Sequence, residues 1–239
     1  MIGIDVSDWQ GVIDWAKVKP NVDFAILKCT QGVDFTAKYY QTNKTACIYY
    51  GIPHGVYHWL KPNIDGAAQA DYFYKTAADP DIAVWCIDFE ECGELAAVNL
   101  EKCYKRLKEL TGHNPFIYTR PSVWNAYFKT IPDWARGCHL WIADPDPVSS
   151  PDLPLDWSTW TIWQYSWVGK IDGITSAVDL NRYNGTFEEM IAMFGNGDEW
   201  EPTPAAERVR VNTGALNIRS APVVASNLLG LTYLGKEWV

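Results

Sequence analysis

Eight short apolar, β-favouring runs punctuate the chain, at residues 3–6, 24–30, 55–59, 83–89, 116–118, 140–143, 161–165 and 178–180. Stretches with helical spacing lie between the early ones, at 14–19, 38–50, 66–78 and 94–110. The last of these is the clearest, with Leu95, Val98, Leu100, Tyr104, Leu107 and Leu110 along one side and Thr111-Gly112 as its stop. Strands that alternate with helices predict a parallel sheet with the helices outside it. Eight such strands are the number that closes a barrel. Little helix is expected between the later strands, so the expected barrel is irregular, and a final helix at 187–194 closes it.

The central run, Val84-Trp85-Cys86-Ile87-Asp88-Phe89-Glu90-Glu91, ends in two carboxylates two residues apart. A strand has a side-chain period of two, so Asp88 and Glu90 share a face, with Cα atoms about 6.5–7 Å apart. Two carboxyl groups at that spacing can flank one scissile bond, the arrangement glycoside hydrolysis requires. An isolated Asp-x-Glu is more often a solvated strand end. Here the pair closes a buried run at the C-terminal end of a strand, which is where α/β folds build their sites. Three further polar strand ends repeat the placement: Asp5 in the first strand, Gln164 in the seventh and Asp179 in the eighth. Strands one and eight are neighbours in a closed barrel, so Asp5 and Asp179 are expected side by side. Four carboxylates at one barrel mouth are unfavourable unless a proton or a cation sits among them.

Composition narrows the classes. The 239 residues are 48% hydrophobic and 14% aromatic, with 13 Trp and 13 Tyr, enough for a large core and for a ring-lined ligand cleft. A net charge of −9 argues against a nucleic-acid partner. No window approaches the ~18–20 apolar residues of a membrane span. Met1-Ile2-Gly3-Ile4-Asp5 has no charged region leading into an apolar one, so no signal peptide is expected. The six cysteines (29, 47, 86, 92, 103, 138) lack metal-binding spacing, and no metal or other cofactor is expected. Several sit in apolar runs, which favours free thiols, although an even count leaves disulfides open.

The chain resembles the glycoside hydrolase family 25 lysozymes, the Chalaropsis-type muramidases. The resemblance is carried, in the family's order, by Gly3-Ile4-Asp5-Val6-Ser7 with Trp9-Gln10, Gly55-Val56-Tyr57-His58, Ile87-Asp88-Phe89-Glu90, Ile117-Tyr118-Thr119, Leu140-Trp141-Ile142-Ala143, Trp163-Gln164-Tyr165-Ser166 and Val178-Asp179-Leu180-Asn181. It implies an α/β fold, a flattened β/α barrel of eight strands, five helix-linked and three more β-only, over residues 1–195. It implies cleavage of the β-1,4 bond between N-acetylmuramic acid and N-acetylglucosamine in peptidoglycan. By the same resemblance Glu90 is the general acid, and Asp88 orients the 2-acetamido group or stabilises an oxocarbenium-like transition state. Asp5 and Asp179 are the remaining cleft carboxylates, and Tyr57, Tyr118, Trp141, Gln164 and Lys28 line the sugar site. Gln31 stands where many members carry Glu. Crowded carboxylates favour a protonated acid beside an ionised neighbour, in keeping with these roles. Whether the reaction retains or inverts depends on rotamers that an i, i+2 spacing leaves open.

Residues 196–207, rich in Gly, Pro and acid, read as a linker. The 32 residues of 208–239 carry four cations against one anion and resemble the first half of a bacterial SH3 domain, through Gly214-Ala215-Leu216-Asn217-Ile218-Arg219 and Gly230…Gly235. That family binds cell-wall peptide or polymer. A partner chain or further residues would have to complete the small barrel, and its exposed strand edges make a homodimer one expectation. The expected setting is a phage endolysin made in the host cytoplasm and released to the wall, with a non-classically exported extracellular autolysin second. The other readings are a non-catalytic glycan-binding module, a glucosaminidase or chitinase-like glycosidase, and a disulfide-bonded scaffold.

Overall fold

The computed structural model describes residues 1–77, 81–145 and 149–194, together with the backbone of four short strands between 209 and 238. Strands β1 (Ile2–Val6), β2 (Phe24–Gln31), β3 (Phe35–Thr36), β4 (His54–Trp59), β5 (Trp85–Asp88), β6 (Phe116–Thr119), β7 (His139–Ala143), β8 (Ile162–Gly169) and β9 (Val178–Tyr183) form one sheet. Its order is β1-β9-β8-β7-β6-β5-β4-β2-β3, and a further β1–β2 pairing closes it. Eight strands make the barrel, and β3 is a two-residue flap on the edge of β2. Helices α1 (Trp15–Val18), α2 (Tyr40–Tyr50), α3 (Gly66–Ala77) and α4 (Ala96–Thr111) connect the early strands as the periodicity predicts. Helix α5 (Pro121–Tyr127) lies where no helix was expected. Proline at its start supplies a fixed φ and lacks only an N–H that would have had no partner, and seven residues are too few for periodicity to register.

Alternation along the strands sorts side chains into two cores. Outward positions such as Ile4, Leu27, Trp85, Ile87, Phe89 and Ile117 pack against Phe73, Leu100, Tyr104, Leu107 and Trp124 of the helices. Inward positions Phe24, Ile26, Cys86, Phe116 and Ile162 fill the barrel, and α6 (Phe187–Phe194) stoppers one end with Met190 and Phe194. Each fully buried side chain of this size contributes about 1.5–3 kcal/mol. Gly3 makes room for this filling, because a Cβ there would overlap the Phe24 ring. Gly66 likewise lets α3 start against the Asn99 carbonyl of α4. On the side that lacks long helices, Leu153, Trp157 and Trp160 from a loop cover Leu140, Ile142 and Trp163.

One expectation is corrected. Apart from the β3 flap, the strands are parallel from β1 round to β8, but β9 runs antiparallel to both neighbours. Asp179 is therefore the second residue of its strand rather than its end, and the reversal is what brings it opposite Asp5. Gln164 is likewise the third residue of β8, which runs on to Gly169. The six cysteines are unpaired, and four of them are buried. Among the described residues no helix is long and apolar enough to cross a membrane.

In the tail, β10 (Val209–Arg210) pairs antiparallel with β13 (Glu237–Trp238), and β11 (Ala215–Arg219) with β12 (Leu228–Tyr233). The linker expected at 196–207 lies outside the described residues.

Candidate active site

At the barrel end opposite α6, strand ends form a cleft of about 210 Å³ lined by Asp5, Lys28, Tyr57, Asp88, Glu90, Tyr118, Trp141, Gln164 and Asp179. All nine residues that the sequence nominated are brought together there. Ser7, Trp9 and Trp59 complete the lining.

Strand β5 and the residues after it set the catalytic geometry. Phe89 donates its N–H to the Tyr118 carbonyl at 2.8 Å, which keeps the chain extended beyond the end of β5. Alternation therefore continues: Phe89 turns outward against Tyr127 and Phe128, while Asp88 and Glu90 turn in. Glu91 is held away from this face, taking hydrogen bonds from Trp59 Nε1 at 3.0 Å and Lys61 Nζ at 2.8 Å. The two inward carboxyls have unequal surroundings. Asp88 is 4% exposed, and its Oδ1 is buried without a partner among the described residues. Burial first, then the Glu90 charge, pushes Asp88 well above the usual carboxylate range, against the opposing charge of Lys28. Glu90 has a side chain 12% exposed and is paired with Arg120, whose Nη2 donates to Oε2 at 2.8 Å.

Across the mouth, Asp5 Oδ2 accepts hydrogen bonds from Gln164 Nε2 and Asn181 Nδ2, both at 2.8 Å. Each donor is fixed in turn: Gln164 Oε1 accepts the Tyr118 hydroxyl at 2.9 Å, and Asn181 Oδ1 accepts Trp141 Nε1 at 2.8 Å. Asp5 and Asp179 also share a hydrogen bond. Burial, the Asp5 charge and that bond raise Asp179 to about 8, so the pair favours holding one proton between its two carboxyls. Burial raises Asp5 to about 6 even though Asn181 and Gln164 favour its ionised form. Burial and the surrounding carboxylates push Tyr57 and Tyr118 well above the usual phenol range, so both remain donors. Lys28 lies 4.7 Å from the Trp59 ring and donates to Gln31 at 3.2 Å; burial lowers it against the pull of Asp88, Asp8 and Glu90. The arrangement can hold a proton on one carboxyl while another stays an acceptor, which suits acid catalysis on an acetal.

Sequence reasoning missed Arg120, Trp167 and Asn181. Arg120 had a readable signal. It stands two residues past Tyr118, as Glu90 stands two past Asp88, and Asp88 and Tyr118 are partners on adjacent parallel strands. Trp167 had none, because it depends on how far β8 extends.

The family model of Glycosyl hydrolases family 25 matches residues 4–174, a span that stops short of Asp179. Lysozyme M1 of Streptomyces globisporus is 33% identical over 210 residues, covering 81% of this chain and 71% of that protein. The N,O-diacetylmuramidase of a Chalaropsis species is 29% identical, covering 74% of this chain and 95% of that one. Among solved structures, a bacterial lysozyme from Streptomyces coelicolor superposes with a TM-score of 0.76 at 32% identity, over 82% of this chain and 98% of its own. A muramidase from Acremonium alcalophilum gives 0.71 at 27% identity, over 82% and 99%.

Proposed function

The chain belongs to glycosyl hydrolases family 25, and we propose from that premise how its cleft works. The protein is a peptidoglycan hydrolase of the lysozyme type, with muramidase activity. The bond we assign to it is the β-1,4 linkage between N-acetylmuramic acid and N-acetylglucosamine.

Glu90 is the general acid in this reading. It donates a proton to the glycosidic oxygen as the bond to the muramyl anomeric carbon breaks, and becomes a carboxylate. Asp88 receives the 2-acetamido N–H of the muramyl ring on its unpartnered oxygen, and its ionised form, which burial disfavours until positive charge arrives, stabilises the charge developing at the anomeric carbon. The Asp5–Asp179 pair shares one proton, so the far wall adds less negative charge than two free carboxylates would. Tyr57, Tyr118, Trp141, Gln164 and Lys28 shape the sugar site. The observation that carries the reading is the contrast within one strand end. Asp88 is buried with an acceptor oxygen to spare, and Glu90 shares its face two residues nearer the cleft mouth. A buried oxygen without a donor costs about 1–3 kcal/mol, and a ligand N–H recovers it.

Residues 208–239 enter the proposal as part of an SH3-like wall-binding module, with weak or no wall binding expected from this piece alone, and the setting as a phage endolysin made in the host cytoplasm and released to the wall. Purified Gram-positive walls test the reading by loss of turbidity, with mass spectrometry of the fragments. Reducing-end N-acetylmuramic acid is expected. Reducing-end N-acetylglucosamine would make the protein a glucosaminidase, and saturable binding without release would make it a binding module.

A further inference from the structure

Arg120 follows β6 in extended conformation, at the N-cap of α5. Continuing the register of Asp88 with Tyr118 by two residues on each strand sets Arg120 beside Glu90. The guanidinium is held between two groups: Glu90 at 2.8 Å, and the ring of Trp167, whose centre lies 5.1 Å from the guanidinium carbon. Trp167 is itself tied down, donating Nε1 to Gln164 Oε1 at 2.7 Å, and so joins the network that fixes Asp5. Arg120 Nε is buried without a partner among the described residues, while the side chain as a whole is 44% exposed.

An ion pair of this kind favours the carboxylate, whereas a general acid must carry a proton when the bond breaks. The pair therefore has to open during turnover. An anionic group entering this cleft meets Asp5, Asp88, Glu90 and Asp179, and it needs a cation. Lys28, on the cleft wall, donates to Gln31 and lies against the Trp59 ring, whereas the Arg120 guanidinium sits on Glu90 itself, where an arriving carboxylate would compete directly with the proposed acid. Guanidinium groups bind carboxylates through paired donors. The muramyl unit differs from N-acetylglucosamine by a lactyl ether that ends in a carboxyl group, either free or joined to a stem peptide that carries carboxylates of its own.

We infer that Arg120 is a positioning residue, a clamp on Glu90 that a carboxylate on the muramyl side of the glycan draws away. The inference rests on the muramidase reading and deepens it. Binding moves the guanidinium from Glu90 to the ligand carboxylate, Glu90 takes a proton from solvent, and that proton passes to the glycosidic oxygen. A glycan without a carboxylate leaves the clamp closed.

Wild type, Arg120→Gln and Arg120→Lys should be compared on soluble muramyl oligosaccharides in three forms. These carry a free lactyl carboxylate, a lactyl methylamide, or a lactyl-linked stem peptide. For the Gln variant the KM is expected to rise about tenfold on carboxylate-bearing forms and to stay within about twofold on the methylamide, the usual scale for one charge-assisted contact. The alkaline limb of its kcat/KM profile should move to higher pH, because Glu90 has lost its cation. Lysine, which keeps the charge but not the fork, should fall between and also covers the case of a poorly folding Gln variant. Whichever carboxylate-bearing form loses more identifies the ligand group. An equal change on all three forms, or an unmoved alkaline limb, overturns the clamp while wild-type hydrolysis stands. Failure of the wild type on every form overturns the muramidase reading, and the clamp with it.

Discussion

The two ends of the barrel interior are built from the same strands and behave as different materials. Toward α6 the inward positions are Phe24, Phe116, Ile162 and Tyr183, closed off by Met190 and Phe194. One or two inward positions along, the fillers become Asp5, Tyr118, Gln164, Asn181 and Asp179, joined by hydrogen bonds, with Asp88 beside them adding to the crowd of carboxyl groups. The lower end is dry and gains from being packed. The upper end carries carboxyls whose ionised form burial penalises, and it persists because the lower end and the helical layer hold the strands in place. On β5 the boundary falls between Cys86 and Asp88.

Sharp tests of that contrast change one end at a time. The largest effect should come from Glu90→Gln, which removes the proposed proton donor without altering volume. General acid catalysis is worth about 10²–10⁴-fold, so wall lysis should fall at least a hundredfold, with the unfolding midpoint nearly unmoved. Turnover within about tenfold of wild type would take Glu90 out of the acid role. At the lower end, Phe24→Ala should cost about 3–5 kcal/mol in urea unfolding and leave kcat of the folded protein largely intact. A parallel loss of kcat would mean that the two ends are mechanically coupled.

A smaller effect follows from the raised carboxyls. Asp179 binds its proton more tightly folded, at about 8, than unfolded, near 3.8. Its contribution is therefore fully present below about pH 4 and is lost as the pH rises through 8. Asp179→Asn should gain stability relative to wild type between pH 5 and 9, read as a melting-temperature difference that grows with pH. His58 works in the opposite sense. It is buried between Thr30 and Gln69 and lowered to about 4, so its contribution is present above pH 6.5 and lost as the pH falls toward 4. A flat Asp179→Asn difference would mean that the shared proton is absent. The smallest effect is expected from deleting residues 196–239, which should leave the barrel's melting temperature and its activity on soluble fragments unchanged. A collapse would show that the tail packs as part of the catalytic domain.

Much of this was legible in one dimension because strand period and barrel closure are local rules. The inward pairing of Asp88 and Glu90 follows from alternation, and the meeting of Asp5 with Asp179 from counting eight strands. The direction of β9 was not legible. A strand of six residues reads the same either way, and the connection that reverses it, after β8 runs on to Gly169, carries no helix to mark a parallel crossover. Helix α5 was too short to declare a period. Arg120 sat in view beside Tyr118 and Thr119, but its meaning depended on a neighbour thirty residues away on the adjacent strand.

The sequence by itself determined the eight barrel strands, the helices outside them and the carboxylates at the mouth, since each depends on spacing within one segment. Only the tertiary structure decided which oxygen of Asp88 lacks a donor, that Asp5 and Asp179 share a hydrogen bond, and that a guanidinium closes on Glu90. Those depend on burial and on distances between segments, and the strength of a charge interaction is set by what surrounds it.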